Sequence, residues 1–453
     1  MRLPRTAPDL SASEAQEISS FEMTLQATGL GPADDEGRYL HWDDLFHRTP
    51  PDGLSRELWW FGLRNARKVA AIATPFTGKD GRHFTFNEPD SIRRNERWID
   101  SYASGHILMP EIGDSLTDTA SKDRYLIKNL IEEAFTSSRL EGAATTRQAA
   151  KEMIRENRQP RDRSERMVLN NYRAMQFIQA NHAAPLSPDF IFELHRIVTE
   201  GTLDRPDMAG RLRTTDDVKV YDGDDEVMHD PPSAVLMPER LQVICDFANR
   251  NYDDTDAKQF IHPAVQAAIL HFMIGYDHPF VDGNGRTARA LFYWLMIRRG
   301  YWLTEFVSIS RIFLQAPAQY ARAYLLTETD NNDLTYFIDH HLNVVRRAFE
   351  SLAVYLRDKQ RELTDFARCL AGSPFAERLN RRQMALLERV VERPGVMLTI
   401  KGYEQESSVS YLTARKDLLS LVELGLLLRV GRGPHTTFVA PNDLPARLQG
   451  KAE

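Results

Sequence analysis

His278-Pro279-Phe280-Val281-Asp282-Gly283-Asn284-Gly285-Arg286-Thr287-Ala288-Arg289 packs more chemistry into twelve residues than any other stretch of this chain. His278 stands directly before Pro279, and the residue before a proline is disfavoured in helical geometry. The imidazole is therefore expected at a helix-to-loop break. Asp282 is a hard oxygen ligand. Gly283-Asn284-Gly285 tolerates positive φ and lets successive backbone N–H groups converge on an anion. The run Thr287 to Leu295 reads as a helix, so the glycine turn opens onto a helix N-terminus, an anion site in its own right. Arg286 and Arg289 are three residues apart and can face that terminus from one side with guanidinium forks that suit phosphate oxygens. A base, a metal carboxylate, an anion nest and two arginines together make a phosphoryl-handling constellation. An EF-hand is excluded, because no Glu stands at the required distance.

Around this segment the chain has 453 residues, too many for one hydrophobic core, so two or three domains are expected. The formal net charge of -7 excludes a chain-wide nucleic-acid footprint; such binding would have to be local. Cys245 and Cys369 are the only cysteines, which excludes a disulfide framework and a Cys-rich zinc site and suits a reducing cytoplasm. The first residues carry no apolar secretory segment, and no run approaches the ~18 apolar residues of a membrane helix. A cytoplasmic protein with no membrane partner is the expectation.

Residues 1–110 form an N-terminal region rich in tryptophan, with Tyr39, Trp42, Leu45 and Phe46 followed by Leu58, Trp59, Trp60 and Leu63. Ser55 is a candidate helix N-cap, and Gly78 to Asn87 reads as a hairpin or loop. From about 120 to 350 helical periodicity dominates: Leu126, Leu130, Ile131 and Ala134 share one face, as do Val265, Ala268, Ile269 and Phe272. The interruption at 205–239 holds Val218-Lys219-Val220-Tyr221 and Glu226-Val227-Met228, which can pair across Asp222-Gly223-Asp224-Asp225. A long helix is expected around 334–368, and 351–374 is expected as a linker helix. The final unit, 375–445, reads as helix, helix-turn-helix and two strands around Gly431 to His435, the order of a winged helix. Ser410 is placed to cap the helix that Gly425 ends.

The stretch 278–289 resembles the signature of the Fic family, His-Pro-Phe-x-(Asp/Glu)-Gly-Asn-(Gly/Lys)-Arg-x-x-Arg, with every position filled. The resemblance covers roughly 120–350 and implies a catalytic domain over 111–350. The fold class it implies is mainly α: a helical Fic domain with a short β-hairpin flap, followed by the winged helix-turn-helix domain. It also implies transfer of AMP from MgATP to Ser, Thr or Tyr hydroxyls of proteins, the chain itself included. On that resemblance His278 is the general base and Asp282 holds Mg²⁺. Asn284 and the N–H groups of Gly283 and Gly285 hold the α- and β-phosphates. Arg286 stabilises the transferring group and the leaving pyrophosphate, Arg289 grips the γ-phosphate, and Phe280 anchors the loop in the core.

Ser137-Ser138-Arg139-Leu140-Glu141-Gly142 resembles the family's inhibitory motif, (Ser/Thr)-x-x-x-Glu-(Gly/Asn), with Ser137, Glu141 and Gly142 at its defining positions. Glu141 paired with Arg289 would deny that arginine to the γ-phosphate. Val218, Lys219, Val220 and Tyr221 fall where the family has its flap, just after a Gly-x-x-Arg segment, Gly210 to Arg213. The family's Tyr-Tyr pair is represented by Tyr320 with Ala321 at the second place and Tyr324 one turn later, which leaves the base preference open. His229 is expected in solvent, and His262 and His271 in packing or capping roles. The partners implied are ATP, a target protein, a second copy of the chain, and DNA through 375–445. Within it, residues 375–441 carry ten Lys/Arg against seven Asp/Glu, a net +3, less basic than a dedicated DNA reader. Transfer of another nucleotide, removal of AMP, and a nucleotide-sensing DNA-binding regulator are the alternative functions.

Overall fold

The computed structural model describes residues 2–8, 31–51, 54–104, 119–221, 226–392, 396–407, 409–431, 436–441 and 443–448. The chain divides into two compact units, Met1–Leu352 and Ala353–Glu453.

The first unit opens with the short helix α1 (Trp42–Leu45) and the longer α2 (Arg56–Ala70). Ser55 caps α2 by accepting from the Leu58 N–H, the role expected from its place after Pro50, Pro51 and Gly53. Trp42, Leu45, Trp59, Trp60 and Leu63 bury one another in a small satellite core. The polar stretch 78–82 then turns a hairpin, β1 (Ile72–Thr77) on β2 (His83–Phe86), ahead of α3 (Asp90–Tyr102). Four helices follow: α4 (Thr119–Leu140), α5 (Arg147–Arg155), α6 (Arg163–Asn181) and α7 (Pro188–Thr199). A second hairpin, β3 (Val220–Tyr221) on β4 (Val227–His229), leads into α8 (Met237–Asn249). Pairing begins at Val220, so Val218 and Lys219 lie before the strand, and the four-residue turn lies outside the described residues.

At the centre stand α9 (Pro263–Asp277) and α10 (Asn284–Arg298), packed on each other. Pro263 to Ile274 are all buried and mostly apolar, which is what a helix enclosed on every side requires. Trp294 and Tyr293 are buried on α10, with Tyr293 donating to the buried Glu133 carboxylate of α4. The unit continues through α11 (Ile309–Gln315), α12 (Pro317–Thr329) and the start of α13 (Thr335–Ala371), a single helix running three residues beyond the span expected at its C-terminal end.

The second unit holds α14 (Arg381–Glu392), α15 (Ile400–Ser407), α16 (Tyr411–Glu423), the hairpin β5 (Leu428–Val430) on β6 (Thr437–Val439), and α17 (Leu444–Leu448). Ser410 caps α16 by accepting from the Thr413 N–H, and Gly425 follows its end at φ +72°. Leu386, Leu387, Val390, Leu418, Leu421 and Phe438 form its own core. Leu398 pairs with Phe438 through two 2.8 Å backbone hydrogen bonds, adding a third short extended segment.

Candidate active site

The loop between α9 and α10 is built around a histidine in an unusual backbone state. His278 has φ 46° and ψ 55°, left-handed geometry that few residues other than glycine adopt. The break before Pro279 is therefore real. Two groups hold it. The buried Arg213 donates from Nε to the His278 carbonyl at 2.9 Å, and its backbone N–H donates to the Pro279 carbonyl at 2.9 Å. The rest of that guanidinium reaches the Thr215 carbonyl, Asp216 and the Pro232 carbonyl, fastening the loop to the flap segment. On the other side, Phe280 is fully buried and stacks on His195, with ring centroids 3.7 Å apart and planes 7° off parallel. His195 lies 2.8 Å from the Asp282 carbonyl through Nε2 and 2.9 Å from the Gly210 N–H through Nδ1. The carbonyl can only accept and the N–H only donate, which fixes a neutral imidazole protonated on Nε2. Burial pushes His195 down to about 4, consistent with that neutral form.

The imidazole of His278 places Nδ1 3.0 Å from the Gly275 carbonyl. Nδ1 must therefore carry the proton, which leaves the Nε2 lone pair available to a reacting group. Burial lowers the His278 pKa from its ordinary value, so the neutral base is the resting form at neutral pH.

Asn284 takes a different part from the one expected. Its side chain accepts from the Phe280 N–H at 2.9 Å and donates to the Phe280 carbonyl at 2.8 Å, so the amide ties the loop to itself and does not face a ligand. What remains for an anion is the N-terminus of α10, which no side chain caps. Gly283 sits at φ +85°, and a Cβ there would meet the Thr199 methyl at 2.7 Å. Only glycine lets the chain turn so tightly against α7. Asp282 keeps its side chain 40% exposed at the mouth of this turn, with Oδ1 2.5 Å from the Gly283 N–H and 3.5 Å from Arg286 Nη2. Arg286 is buried beside it and donates to the Val198 carbonyl at 3.1 Å, while its Nε has no partner among the described residues.

Arg289 is engaged by the end of α4. Its Nη2 lies 2.8 Å from Glu141 Oε1 and 3.1 Å from the Ser137 carbonyl, and its Nε donates to Ser137 Oγ at 2.8 Å. Gly142, at φ +86°, ends that helix and lets Glu141 turn toward the loop. Burial pushes the Glu141 carboxyl up, but the Arg289 and Arg286 guanidiniums more than reverse this and leave it below its usual value. A Cβ on Gly285 would come 2.2 Å from Glu141 Oε1, so the carboxylate lies against the first turn of α10.

His278, Gly285, Arg289 and Glu141 line a cleft of about 360 Å³, whereas Asp282, Asn284 and Arg286 are not in its wall. Its wall includes Glu141, His278, Gly285 and Arg289 at one end, Val220, Tyr221, Met228 and His229 from the flap, and Tyr320, Ala321, Tyr324, Leu325 and Glu328 from α12. Both candidate tyrosines thus reach it. Tyr320 is fixed by a 2.7 Å contact to His271 Nε2 and stacks on Phe313, and Tyr324 stacks on Phe272. Val218 and Lys219 do not line the cleft, although Lys219 lies 3.6 Å from Asp230.

His229 is not in solvent. It is 9% exposed, with Nδ1 2.7 Å from Glu328 Oε2 and Nε2 2.6 Å from the Tyr276 carbonyl. The polar His-Asp-Pro-Pro context suggested a surface residue, but β4 carries the ring inward onto α9. His262 caps α9 by accepting from the Ala264 N–H, and His271 is buried in packing, both as expected. His195 and Glu328 carried no local signal: neither belongs to a motif, and only the fold brings them to the loop and the cleft.

Comparison with known proteins matches the part of the chain that holds this loop. Residues 185–296 match the family model described as the Fic/DOC family. Protein adenylyltransferase fic-1 of Caenorhabditis elegans is 40% identical over 116 residues, 26% of this chain and 20% of that protein. Protein adenylyltransferase Fic of Nematostella vectensis is 27% identical over 183 residues, 39% of this chain and 38% of the relative. The chain thus spans about a fifth to two fifths of these curated relatives. A Fic family protein from Desulfovibrio desulfuricans G20 superposes over 78% of this chain and 96% of its own, at 20% identity and a TM-score of 0.49. Among the described residues no helix is long and apolar enough to cross a membrane. The matched segment, residues 185–296, encloses the loop 278–289 and is similar to the Fic/DOC family.

Proposed function

We propose that this protein transfers AMP from MgATP to a hydroxyl of a protein target and that Glu141 restrains it. The observation that carries the reading is the free Nε2 of His278 in a cleft that Arg289 and Gly285, in the uncapped first turn of α10, also line. The target hydroxyl gives its proton to Nε2 as its oxygen forms a bond to the α-phosphorus, and the bond from that phosphorus to the pyrophosphate oxygen breaks. The first N–H groups of α10, with Arg286 and Arg289, receive the phosphate charge. Asp282 suits Mg²⁺ in the usual nucleotide manner, one accessible carboxylate with phosphates completing the shell. The ion, when bound there, would neutralise charge between the α- and β-phosphates. The same cleft in wild-type form keeps Arg289 on Glu141, and an ATP bound beside that pair lacks its γ-phosphate grip.

The test is intact mass of Glu141→Gly protein after incubation with MgATP, beside the Glu141→Gly/His278→Ala variant. A gain of one AMP unit in the first and none in the second supports the reading; equal gain in both overturns the role of His278. Ala321 beside Tyr320 keeps a second reading in play, transfer of a different nucleotide, and the same assay with UTP, GTP and CTP separates them. Removal of AMP is tested by returning labelled protein to the wild-type enzyme. For the unit from Ala353 we propose a winged helix, on the order α14, α15, α16 and the β5–β6 hairpin. Its modest positive charge favours a protein or dimer contact over DNA reading; tight, steeply salt-dependent duplex binding would reverse that choice.

A further inference from the structure

The contacts of His229 cannot all be satisfied by a neutral ring. Nε2 lies 2.6 Å from the Tyr276 carbonyl, which has no proton to give, so Nε2 carries the proton there. A neutral imidazole then presents a bare lone pair at Nδ1. At 2.7 Å from that lone pair stands a Glu328 oxygen, which is also an acceptor when ionised. Two lone pairs at this distance repel, so a proton must lie between them. The pair is an imidazolium bonded to a carboxylate, or the equivalent neutral pair with the proton on Glu328.

This pair joins three elements. His229 ends β4 of the flap and is the register partner of Val220 on β3. Glu328 is on the last turn of α12, the helix that carries Tyr320 and Tyr324. Tyr276 is two residues before His278. Asp230, the next flap residue, is bonded to Lys79 of the N-terminal hairpin, whose backbone N–H donates to the Tyr276 hydroxyl at 2.9 Å.

We propose that His229 and Glu328 form a protonated latch that positions the flap over His278, so that flap docking, and with it alignment of a protein substrate, is lost as the latch deprotonates. The regulatory consequence rests on the function proposed above; the latch itself does not. His229 touches no reacting atom and is a positioning residue. Burial works against its charge, and Glu328 more than offsets this, raising its pKa from the ordinary value. Asp277 of α9 acts in the same direction, and its own carboxylate is paired with Arg240 of α8. His278 opposes it from the loop, and the neighbouring Lys79–Asp230 pair supplies one charge of each sign. The sign follows: a histidine whose pKa is raised by its partner contributes fully below its unlatched value, and the contribution disappears as pH rises through the latched value.

Amide hydrogen exchange on the full chain tests this. Protection of the peptide covering 226–231, corrected for the intrinsic rate, is followed from about pH 6 to about pH 9. The expected result is a fall of roughly tenfold or more across that range in the wild type, the effect of one charge-assisted hydrogen bond. His229→Gln and Glu328→Gln should each flatten the profile at its weak end, and adding Glu328→Gln to His229→Gln should cost nothing further. A merely structural role would lower protection at every pH and leave the wild-type slope in the variants. A flat wild-type profile, or full additivity of the two substitutions, overturns the latch. Because the readout is exchange and not labelling, failure of nucleotide transfer would leave this result standing, and failure of the latch would leave transfer untouched. In the Glu141→Gly background the labelling rate of an added protein target should fall toward high pH, and His229→Gln should remove that fall.

Discussion

Replacing Glu141 by glycine removes one carboxylate from a site where the geometry sets its value. Arg289 Nη2 and Glu141 Oε1 are 2.8 Å apart, Arg289 is 2% exposed through its side chain and Glu141 26%. A hydrogen bond between charged groups contributes about 1.5–3 kcal/mol net, the upper part of the range when one partner is buried. Taking about 2–3 kcal/mol as the advantage a γ-phosphate must overcome to occupy Arg289, its loss increases productive occupancy roughly 30- to 150-fold, at about 1.4 kcal/mol per decade. The variant should therefore label itself faster than wild type by about that factor at subsaturating MgATP. It should also melt earlier, because the buried Arg289 loses its direct ion pair and keeps its Ser137 bonds with only the more distant Glu133 as counter-charge. Glu141→Gln retains an amide oxygen at the same place and should fall between the two. The assay is the initial rate of mass gain, with ATP binding measured calorimetrically on the same preparations. Equal labelling rates for wild type and Glu141→Gly, with both proteins binding ATP, would refute the argument. A rise in ATP affinity with no rise in labelling would mean that Glu141 competes for nucleotide without gating the chemistry.

His278→Ala in the Glu141→Gly background should abolish labelling and leave ATP affinity within about threefold, since on the proposed mechanism Nε2 meets the hydroxyl and not the nucleotide; calorimetry beside intact mass decides it. Because burial lowers the His278 pKa, the base stays neutral below the ordinary histidine value of about 6.5, and the acid limb of the labelling profile should lie below that pH; an acid limb above it would contradict the assigned environment. The Glu141 carboxyl is held below its usual value, so the restraint should persist through neutral pH and weaken only in acid, as pH falls through that lowered value; wild-type labelling that rises between about pH 6 and 8 would oppose this. His195→Ala should lower the unfolding free energy by about 2–4 kcal/mol, from loss of the stacked Phe280 contact and two buried hydrogen bonds, readable by denaturant titration.

The parts of this site that were legible in the sequence are those written locally. The break at His278 follows from Pro279, the turn from Gly283 and Gly285, and the caps at Ser55 and Ser410 from one side chain and an N–H three residues on. The meeting of Glu141 with Arg289 spans 148 residues and was legible only through resemblance to a family motif. Periodicity shows which face of a helix is apolar but not what lies against it. That is why His195 gave no sign of stacking under the loop, and why His229, in a polar run, was expected in solvent. Asn284 shows the converse limit. Its place in the loop motif was readable, but not that its amide would close onto both backbone groups of Phe280.

That inward turn of Asn284 bears on how a left-handed histidine persists at the position proposed to react. Holding a non-glycine residue at φ 46° costs on the order of 1–3 kcal/mol, and an unsupported loop would relax. Here most of the carbonyls and N–H groups of 278 to 283 are committed elsewhere. Arg213 takes the His278 and Pro279 carbonyls, Asn284 takes both backbone groups of Phe280, His195 takes the Asp282 carbonyl, and the Asp282 carboxylate takes the Gly283 N–H. Phe280 pins the middle of the loop in the core. Relaxing His278 would therefore break several of these bonds at once, each contributing about 0.5–1.5 kcal/mol, so the strained state is the lowest one the surroundings permit. The His278 imidazole is consequently aimed by the loop's framework before any nucleotide arrives, and the groups left to respond to ligand are those outside that framework: Arg289 with Glu141 at one end of the cleft, and the flap with His229 at the other.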